Sequence, residues 1–334
     1  MASIAHIGHG YWGRNLARNF AELGSLRAVV DPDARAAEAA AAAYGVRAAT
    51  LAEVLADPLI DGVSIASPAD MHFAHAKAAL EAGKHVFVEK PLALNIADGE
   101  ALCALASARH LTLMVGHLLQ YHPIYARLRE MVVAGEFGRL RYVYSNRQSL
   151  GKFRTEENVL WSFAPHDISM ILGLFGVEPV HVTAQGHVAF TPGVADMVTA
   201  QMHFPGGGSA HIQTCWMHPF KEQRLVVIGE QAMAVFEDSE SDWDSKLKIY
   251  HHHVDRTGPI PNPHKADAVA VSVPRSEPLQ AECRHFAACI DNGREPITSG
   301  TEGLRVLRVL DRAERALVDN LRHQDQPAAG TQMR

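Results

Sequence analysis

An α/β protein of two domains, the first on a parallel sheet and the second on a mostly antiparallel one, is the fold class this sequence predicts. Three observations predict it. The chain has 334 residues, about twice the usual length of a domain. Up to about residue 120, short β-rich runs alternate with Ala/Leu-rich helical stretches, the mark of βαβ units. From Tyr121 onward the texture becomes long runs of alternating apolar and polar residues punctuated by glycine, as antiparallel strands read.

In the first part the predicted strands are 4–7, 26–31, 62–66, 85–89 and 111–115, and the helices between them 11–23, 34–44, 72–82 and 97–109. The alanine run 39–43 is helix-favouring composition. In the second part the alternating runs are 140–148, 181–190, 197–204, 210–216, 224–228 and 246–252, with Gly206-Gly207-Gly208 and Gly229-Glu230 as hairpin turns. A further helix is expected over 168–175, starting at Pro165, which suits a first helical position, and closed by Gly176. Ser299-Gly300-Thr301-Glu302 fits a capping box, and Leu304, Leu307, Leu310 and Leu317 continue it as an amphipathic helix. The domains therefore run 1–120 and 121–298, with a C-terminal helix over 299–322 and a flexible tail over 323–334.

Composition narrows the function classes. Apolar residues at 47% and charged residues at 20% exclude a disordered polar chain, a collagen-like repeat and a membrane bundle. Lys and Arg number 31 against 37 Asp and Glu, a net charge of -6, which argues against general nucleic-acid or anionic-membrane partners. Cys103, Cys215, Cys283 and Cys289 contain no C-x-x-C pair and are too few for a disulfide framework, so they read as reduced thiols. With no basic leader and no 18-residue apolar window, a cytoplasmic location is expected, neither secreted nor membrane-inserted.

Gly8-His9-Gly10-Tyr11-Trp12-Gly13 follows the first strand and opens the first helix. In that context the glycines serve a tight turn, close approach of a pyrophosphate and close helix contact, with free N–H groups at the helix start facing the anion. Asp31 ends the second strand, where a carboxylate accepts from an adenosine ribose hydroxyl. A 2′-phosphate would meet like charge at Asp31 and Asp33, so the expected cofactor is NAD, although Arg35 offers partial compensation; Asp31-Pro32-Asp33 also fits a helix-start turn. Strand 85–89 ends in Glu89-Lys90-Pro91, which puts Lys90 at the carboxyl edge of the sheet, where an ammonium can stabilise a developing oxyanion. With Pro165 first in its helix, His166 falls in the first turn, where the helix dipole keeps an imidazole neutral and able to take a proton. Arg139, Arg141, Arg147, Lys152 and Arg154 fall within 16 residues free of Asp and Glu, a local anion surface whose plain alternative is a solvated sheet face or subunit contact. His251-His252-His253 lacks nearby Cys or carboxylate ligands and does not read as a metal site.

The combination of Gly8 to Gly13, Glu89-Lys90-Pro91 and Pro165-His166-Asp167, spread over both parts, resembles the Gfo/Idh/MocA oxidoreductase family, with the likeness reaching about residue 322. The resemblance implies a Rossmann domain followed by an α/β domain with an open sheet, and a homodimer or homotetramer. It implies that Lys90 and His166 are catalytic, and that Tyr11, Trp12, Ser67, Pro68, His72, Glu89, His117 and Trp161 lie on the cofactor side. On the substrate side it implies Tyr144, Arg147, Lys152, Arg154, Ser162 and Asp167 besides the catalytic pair. Many family sugar dehydrogenases carry aspartate where this chain has Ser162, which leaves Asp167 or Tyr144 to assist His166. The runs 158–167, Gly116-His117 and Tyr121-His122-Pro123 look like the branch acting on nucleotide-linked amino sugars. For that branch the resemblance implies oxidation of the C3 hydroxyl of UDP-N-acetylglucosamine by NAD, feeding a partner aminotransferase toward lipid A with amide-linked acyl chains. The glucuronate form of the sugar, a free sugar or inositol, the reverse ketone reduction and a non-catalytic NAD-binding regulator stay open.

Overall fold

The computed structural model describes residues 1–255 and 257–324, and the expected tail lies outside them from residue 325 onward. The chain divides into two compact units, one formed by 1–122 with 276–308 and the other by 123–275 with the residues from 309 onward.

The first unit begins with β1 (Ile4–Ile7), α1 (Gly13–Glu22), β2 (Leu26–Val30), α2 (Ala34–Tyr44), β3 (Arg47–Ala48), α3 (Leu51–Ala56) and β4 (Gly62–Ile65). It continues through α4 (Ala69–Glu81), β5 (His85–Glu89), α5 (Ile96–Ala108) and β6 (Leu113–Gly116). The strands form one parallel sheet in the order β3-β2-β1-β4-β5-β6. The order reverses between β1 and β4, and the carboxyl ends flanking that point are where an open α/β sheet takes ligands. Both faces are covered, so β1 and β4 are buried throughout and read as continuous apolar runs instead of alternating ones.

The second unit holds α6 (Pro123–Val133), β7 (Leu140–Leu150), α7 (Val159–Phe175), β8 (His181–His187), β9 (Met197–His203), β10 (Ser209–Cys215), β11 (Met217–Gly229) and β12 (Met233–Glu237). β13 (Leu247–Tyr250), the hairpin β14 (His253–Asp255) with β15 (Asn262–His264), and β16 (Ala268–Ala270) follow. Its large sheet runs β16-β13-β12-β11-β7-β10-β9-β8, antiparallel except where β10 pairs with β7. α7 packs on β7, β9 and β10, and its Ile168, Ile171 and Leu172 are buried. On β7, Ser145 and Arg147 point at that helix; Tyr144, the residue before Ser145, points from the opposite face.

The boundary differs from the sequence expectation in one place. The stretch 276–298, read with the second domain, belongs to the first unit, because it carries α8 (Pro278–Asn292). Leu279, Cys283, Phe286 and Ala287 on α8 join the core around Phe20 and Phe87, with the Phe286 ring 6.4 and 5.8 Å from those two rings. The last helix, α9 (Gly300–Gln324), runs two residues beyond the expected 322, so His323 and Gln324 are helical. At its start the Glu302 N–H reaches Ser299 Oγ at 3.5 Å, but the Glu302 carboxylate turns to Arg305, so only half of the expected capping box forms. All four cysteines are free, and no described helix is long and apolar enough to cross a membrane.

Candidate active site

In the first unit the glycine loop leaves β1 at its carboxyl end. Gly8 has φ +92°, and a Cβ there would lie 2.6 Å from the Ser67 amide nitrogen; at Gly13 it would lie 1.9 Å from the Gly8 carbonyl oxygen. Both positions exclude any side chain because backbone crosses backbone. A Cβ at Gly10 would meet nothing within 4 Å, so that edge of the loop is open to a ligand. No side chain caps α1, unlike α2, α3 and α5, which are capped by Asp33, Thr50 and Asn95. An uncapped helix start behind an open glycine is the cradle a pyrophosphate fills.

Asp31 and Asp33 separate cleanly. Asp33 caps α2 by accepting from the Arg35 and Ala36 amides, so the helix-start reading holds for it. Asp31 instead faces the glycine loop, accepting from the His9 N–H at 2.7 Å and the Asp33 N–H at 2.9 Å. Each carboxylate oxygen has capacity left for a ribose hydroxyl.

Lys90 follows the last residue of β5 and is half-buried, with a cis peptide to Pro91. His72 is buried beneath this turn, its Nδ1 2.7 Å from the Pro91 carbonyl oxygen and its Nε2 2.9 Å from that of Ser67. Its ring ties the turn after β4 to the turn after β5; the Ser67 hydroxyl is engaged by His75 at 3.0 Å. Trp12 and Glu89, both expected on the cofactor side, bond each other: the indole N–H donates to Glu89 Oε1 at 2.5 Å. Tyr11 is fully out in solvent, 92% exposed. His117, at the end of β6, is 2% exposed, and neither ring nitrogen has a partner among the described residues. Burial, reinforced by the Lys90 charge, pushes its pKa down to about 3, so it stays neutral. A buried, unsatisfied imidazole beside the lysine suits a polar group of a bound dinucleotide.

Two features of this unit escaped sequence reasoning. His6, inside β1, is fully buried with Nε2 2.9 Å from the Gly8 carbonyl oxygen, and desolvation takes its pKa down to about 4. Its signal was a lone imidazole within an apolar strand. Glu282, on α8, is a fully buried carboxyl with no partner among the described residues. Desolvation first, then the charge of Glu89, hold it well above the usual carboxylate range, and burial raises Glu89 itself to about 7. A cavity of about 390 Å³ lined by His85, Cys103 and Arg294 lies at the amino ends of β5 and β6, the wrong edge for the dinucleotide.

In the second unit α7 begins at Val159, capped by Asn158, so Pro165 stands inside the helix and His166 is its eighth residue. The expected first-turn position is wrong, and with it the helix-dipole argument, because the dipole acts only within the terminal turn. The cause is the earlier cap: Asn158 Oδ1 accepts from the Leu160 and Trp161 amides. Ser162 lies one turn before His166 and is buried.

Asp167 is not an assistant to His166. Its carboxylate is 1% exposed and accepts from Arg147 Nε at 2.7 Å, Arg147 Nη2 at 3.2 Å and Ser145 Oγ at 2.6 Å. Tyr144 is excluded from that role too, because on the far sheet face it stacks against His211, ring centroids 5.2 Å apart at 4°. Trp161 donates to Glu314 at 3.2 Å. The basic stretch is not the free anion surface expected: Arg141 pairs with Glu230, Arg147 with Asp167 and Arg154 with Glu157. Lys152 and Arg139 are exposed, and Arg139 precedes β7. Among the described residues no group of three or more His, Cys, Asp or Glu side chains is placed to hold a metal ion.

Comparison with known proteins places this geometry. Residues 2–117 match the family model described as "Oxidoreductase family, NAD-binding Rossmann fold". Residues 125–235 match the model of the Gfo/Idh/MocA C-terminal domain. The UDP-N-acetylglucosamine 3-dehydrogenase of Acidithiobacillus ferrooxidans is 34% identical over 307 residues, covering 90% of this chain and 92% of that protein. A solved structure of the enzyme of that name and organism superposes with a TM-score of 0.85 at 32% identity, over 96% of this chain and 98% of the other. The scyllo-inositol 2-dehydrogenase (NAD(+)) of Bacillus subtilis is 26% identical over 77% of this chain and 75% of its own length. With both halves matched, and with a glycine cradle and ribose acid that fit the dinucleotide, this protein belongs to the Gfo/Idh/MocA family of oxidoreductases and takes NAD as its cofactor.

Proposed function

We propose that the enzyme oxidises the C3 hydroxyl of UDP-N-acetylglucosamine to the 3-keto sugar nucleotide. The observation that carries this reading is the 34% identity to the Acidithiobacillus UDP-N-acetylglucosamine 3-dehydrogenase over nine-tenths of the chain, against 26% for the inositol enzyme. The 3-keto product is a substrate for a transaminating partner, and the pathway we assign is amide-linked lipid A, run in the cytoplasm by a homodimer or homotetramer.

The chemistry that NAD would supply when bound is that of a hydride acceptor for the C3 hydrogen. Gly8, Gly10 and Gly13 with the uncapped start of α1 would hold its pyrophosphate, and Asp31 would accept from its adenosine ribose. Lys90 donates to the C3 oxygen and stabilises the negative charge that develops on it. His166 receives the hydroxyl proton at a ring nitrogen. Lys152, exposed and, like Arg139, outside the three ion pairs found for its neighbours, is the cation of the basic stretch assigned to the diphosphate.

The test mixes the protein with NAD and, separately, UDP-N-acetylglucosamine, its glucuronate form, free N-acetylglucosamine and scyllo-inositol, following reduced nicotinamide while an amine trap pulls the ketone forward. Signal with UDP-N-acetylglucosamine alone, lost by at least about a hundredfold in Lys90→Met and in His166→Asn, is the expected result. Signal only with the glucuronate or a free polyol moves the substrate assignment. NAD binding with silence toward every sugar would make the protein a non-catalytic NAD-binding regulator.

A further inference from the structure

The bond between Trp12 and Glu89 joins segments 77 residues apart in the chain. Trp12 is the last residue of the glycine loop before α1. Glu89 is the last residue of β5, and Lys90 comes next. The Glu89 carboxyl is confined on its other sides. The Lys90 N–H donates to Oε2 at 3.3 Å, and a Cβ at Gly116 would lie 2.9 Å from the carboxyl carbon, so the side chain rests directly on the backbone of β6. An indole nitrogen only donates and this carboxyl oxygen accepts, so the pair is chemically matched in a partly buried place. The segment that grips the pyrophosphate is thereby fastened to the segment that carries the lysine.

We infer that Trp12 and Glu89 are a positioning pair that couples seating of the dinucleotide to the placement of Lys90, each acting through the other and not by touching the cofactor. This rests on the reading of the chain as an NAD-dependent dehydrogenase with Lys90 at its reacting centre. A residue that merely touched NAD would, when removed, weaken NAD binding and leave turnover at saturating NAD intact. A coupling residue lowers both, because the lysine no longer follows the loop.

The experiment is a double-mutant cycle on the full chain, with NAD affinity from fluorescence titration, turnover at saturating NAD and thermal unfolding to confirm folding. Trp12→Phe keeps the ring and deletes the donor; NAD affinity and saturated turnover each fall about tenfold. Glu89→Gln keeps an acceptor oxygen and stays within about threefold of wild type. The double variant is no worse than Trp12→Phe alone, since one bond is broken once. A readout independent of any sugar is the NMR signal of ¹³C-dimethylated Lys90, identified by its absence in Lys90→Arg. It shifts on adding NAD to wild type and not to Trp12→Phe. Unchanged saturated turnover in Trp12→Phe, losses that multiply in the double variant, or an equal Lys90 shift in Trp12→Phe overturns the coupling. A wild type that binds NAD but oxidises no sugar overturns the substrate assignment alone, and the Lys90 signal still decides the coupling.

Discussion

Asp167 stands next to His166, yet the structure makes it a buttress between α7 and β7, and that difference is measurable. In Asp167→Asn the shape persists but the charge is gone, leaving Arg147, 11% exposed, without its counter-ion. Two guanidinium contacts and a serine hydroxyl converge on that carboxylate at 2.6 to 3.2 Å. Breaking a buried pair of this kind costs about 3–5 kcal/mol, because an uncompensated charge stays behind. With about 3 kcal/mol per molar of urea for a chain of this size, the unfolding midpoint falls by about 1–1.7 M. Replacing both partners by apolar residues, Asp167→Leu with Arg147→Met, recovers most of that loss, since neither charge is then buried alone. Urea titration followed by circular dichroism reads both numbers. The acidic limb of the turnover–pH profile supplies the functional half: it stays where it is in Asp167→Asn, because the carboxylate oxygens are engaged by Arg147 and Ser145. An unmoved midpoint, or an acidic limb displaced by a pH unit or so, would refute the assignment and return Asp167 to the proton path.

Gly13→Ala places a methyl 1.9 Å from the Gly8 carbonyl oxygen and 2.9 Å from His6 Nε2, so the loop must move and NAD affinity drops by at least about tenfold in a fluorescence titration. Gly10→Ala, with nothing within 4 Å, leaves the melting temperature unchanged while still hindering the pyrophosphate. Stability against pH has two limbs. His6, depressed from 6.5 to about 4, is neutral in the fold while the unfolded chain protonates, so its contribution is present above 6.5 and is lost as pH falls toward 4. Glu89, raised from 4.5 to about 7, binds its proton more tightly when folded, so its contribution is complete below 4.5 and is lost as pH rises through about 7. Urea midpoints measured across that range give a maximum between the limbs, and Glu282→Gln, which removes the neighbouring buried carboxyl, lifts the alkaline side.

The parallel half was legible because its constraints are local. Three glycines between a strand and a helix, an acid at the end of the second strand and a proline closing the fifth each act within a few residues, so spacing along the chain is spacing in the fold. α8 was missed although its signal was present. Leu279, Cys283, Phe286, Ala287 and Ile290 recur at helical spacing and fill the core around Phe20, but which core a helix fills is a long-range choice that periodicity does not encode. The helix carrying His166 was misread for a related reason. Pro165 is a good first helical residue, but Asn158 caps seven residues earlier and the packed apolar face of α7 holds the helix together across the proline.

The same distinction decides the charged residues. Five cations within 16 residues looked like an anion surface because no acid lies among them in the chain. Two of them find partners from far along the chain: Asp167 reaches Arg147 from 20 residues away and Glu230 reaches Arg141 from 89. Trp12 and Glu89, read as two separate cofactor contacts, satisfy each other across 77 residues. A count along the sequence measures composition, whereas the field a substrate meets is what survives pairing. On this chain the groups left for ligands are exposed Arg139 and Lys152 on the second unit and the strand-end groups Asp31, Lys90 and neutral His117 on the first, which is why the diphosphate is assigned to so few groups and the hydride chemistry to the strand ends.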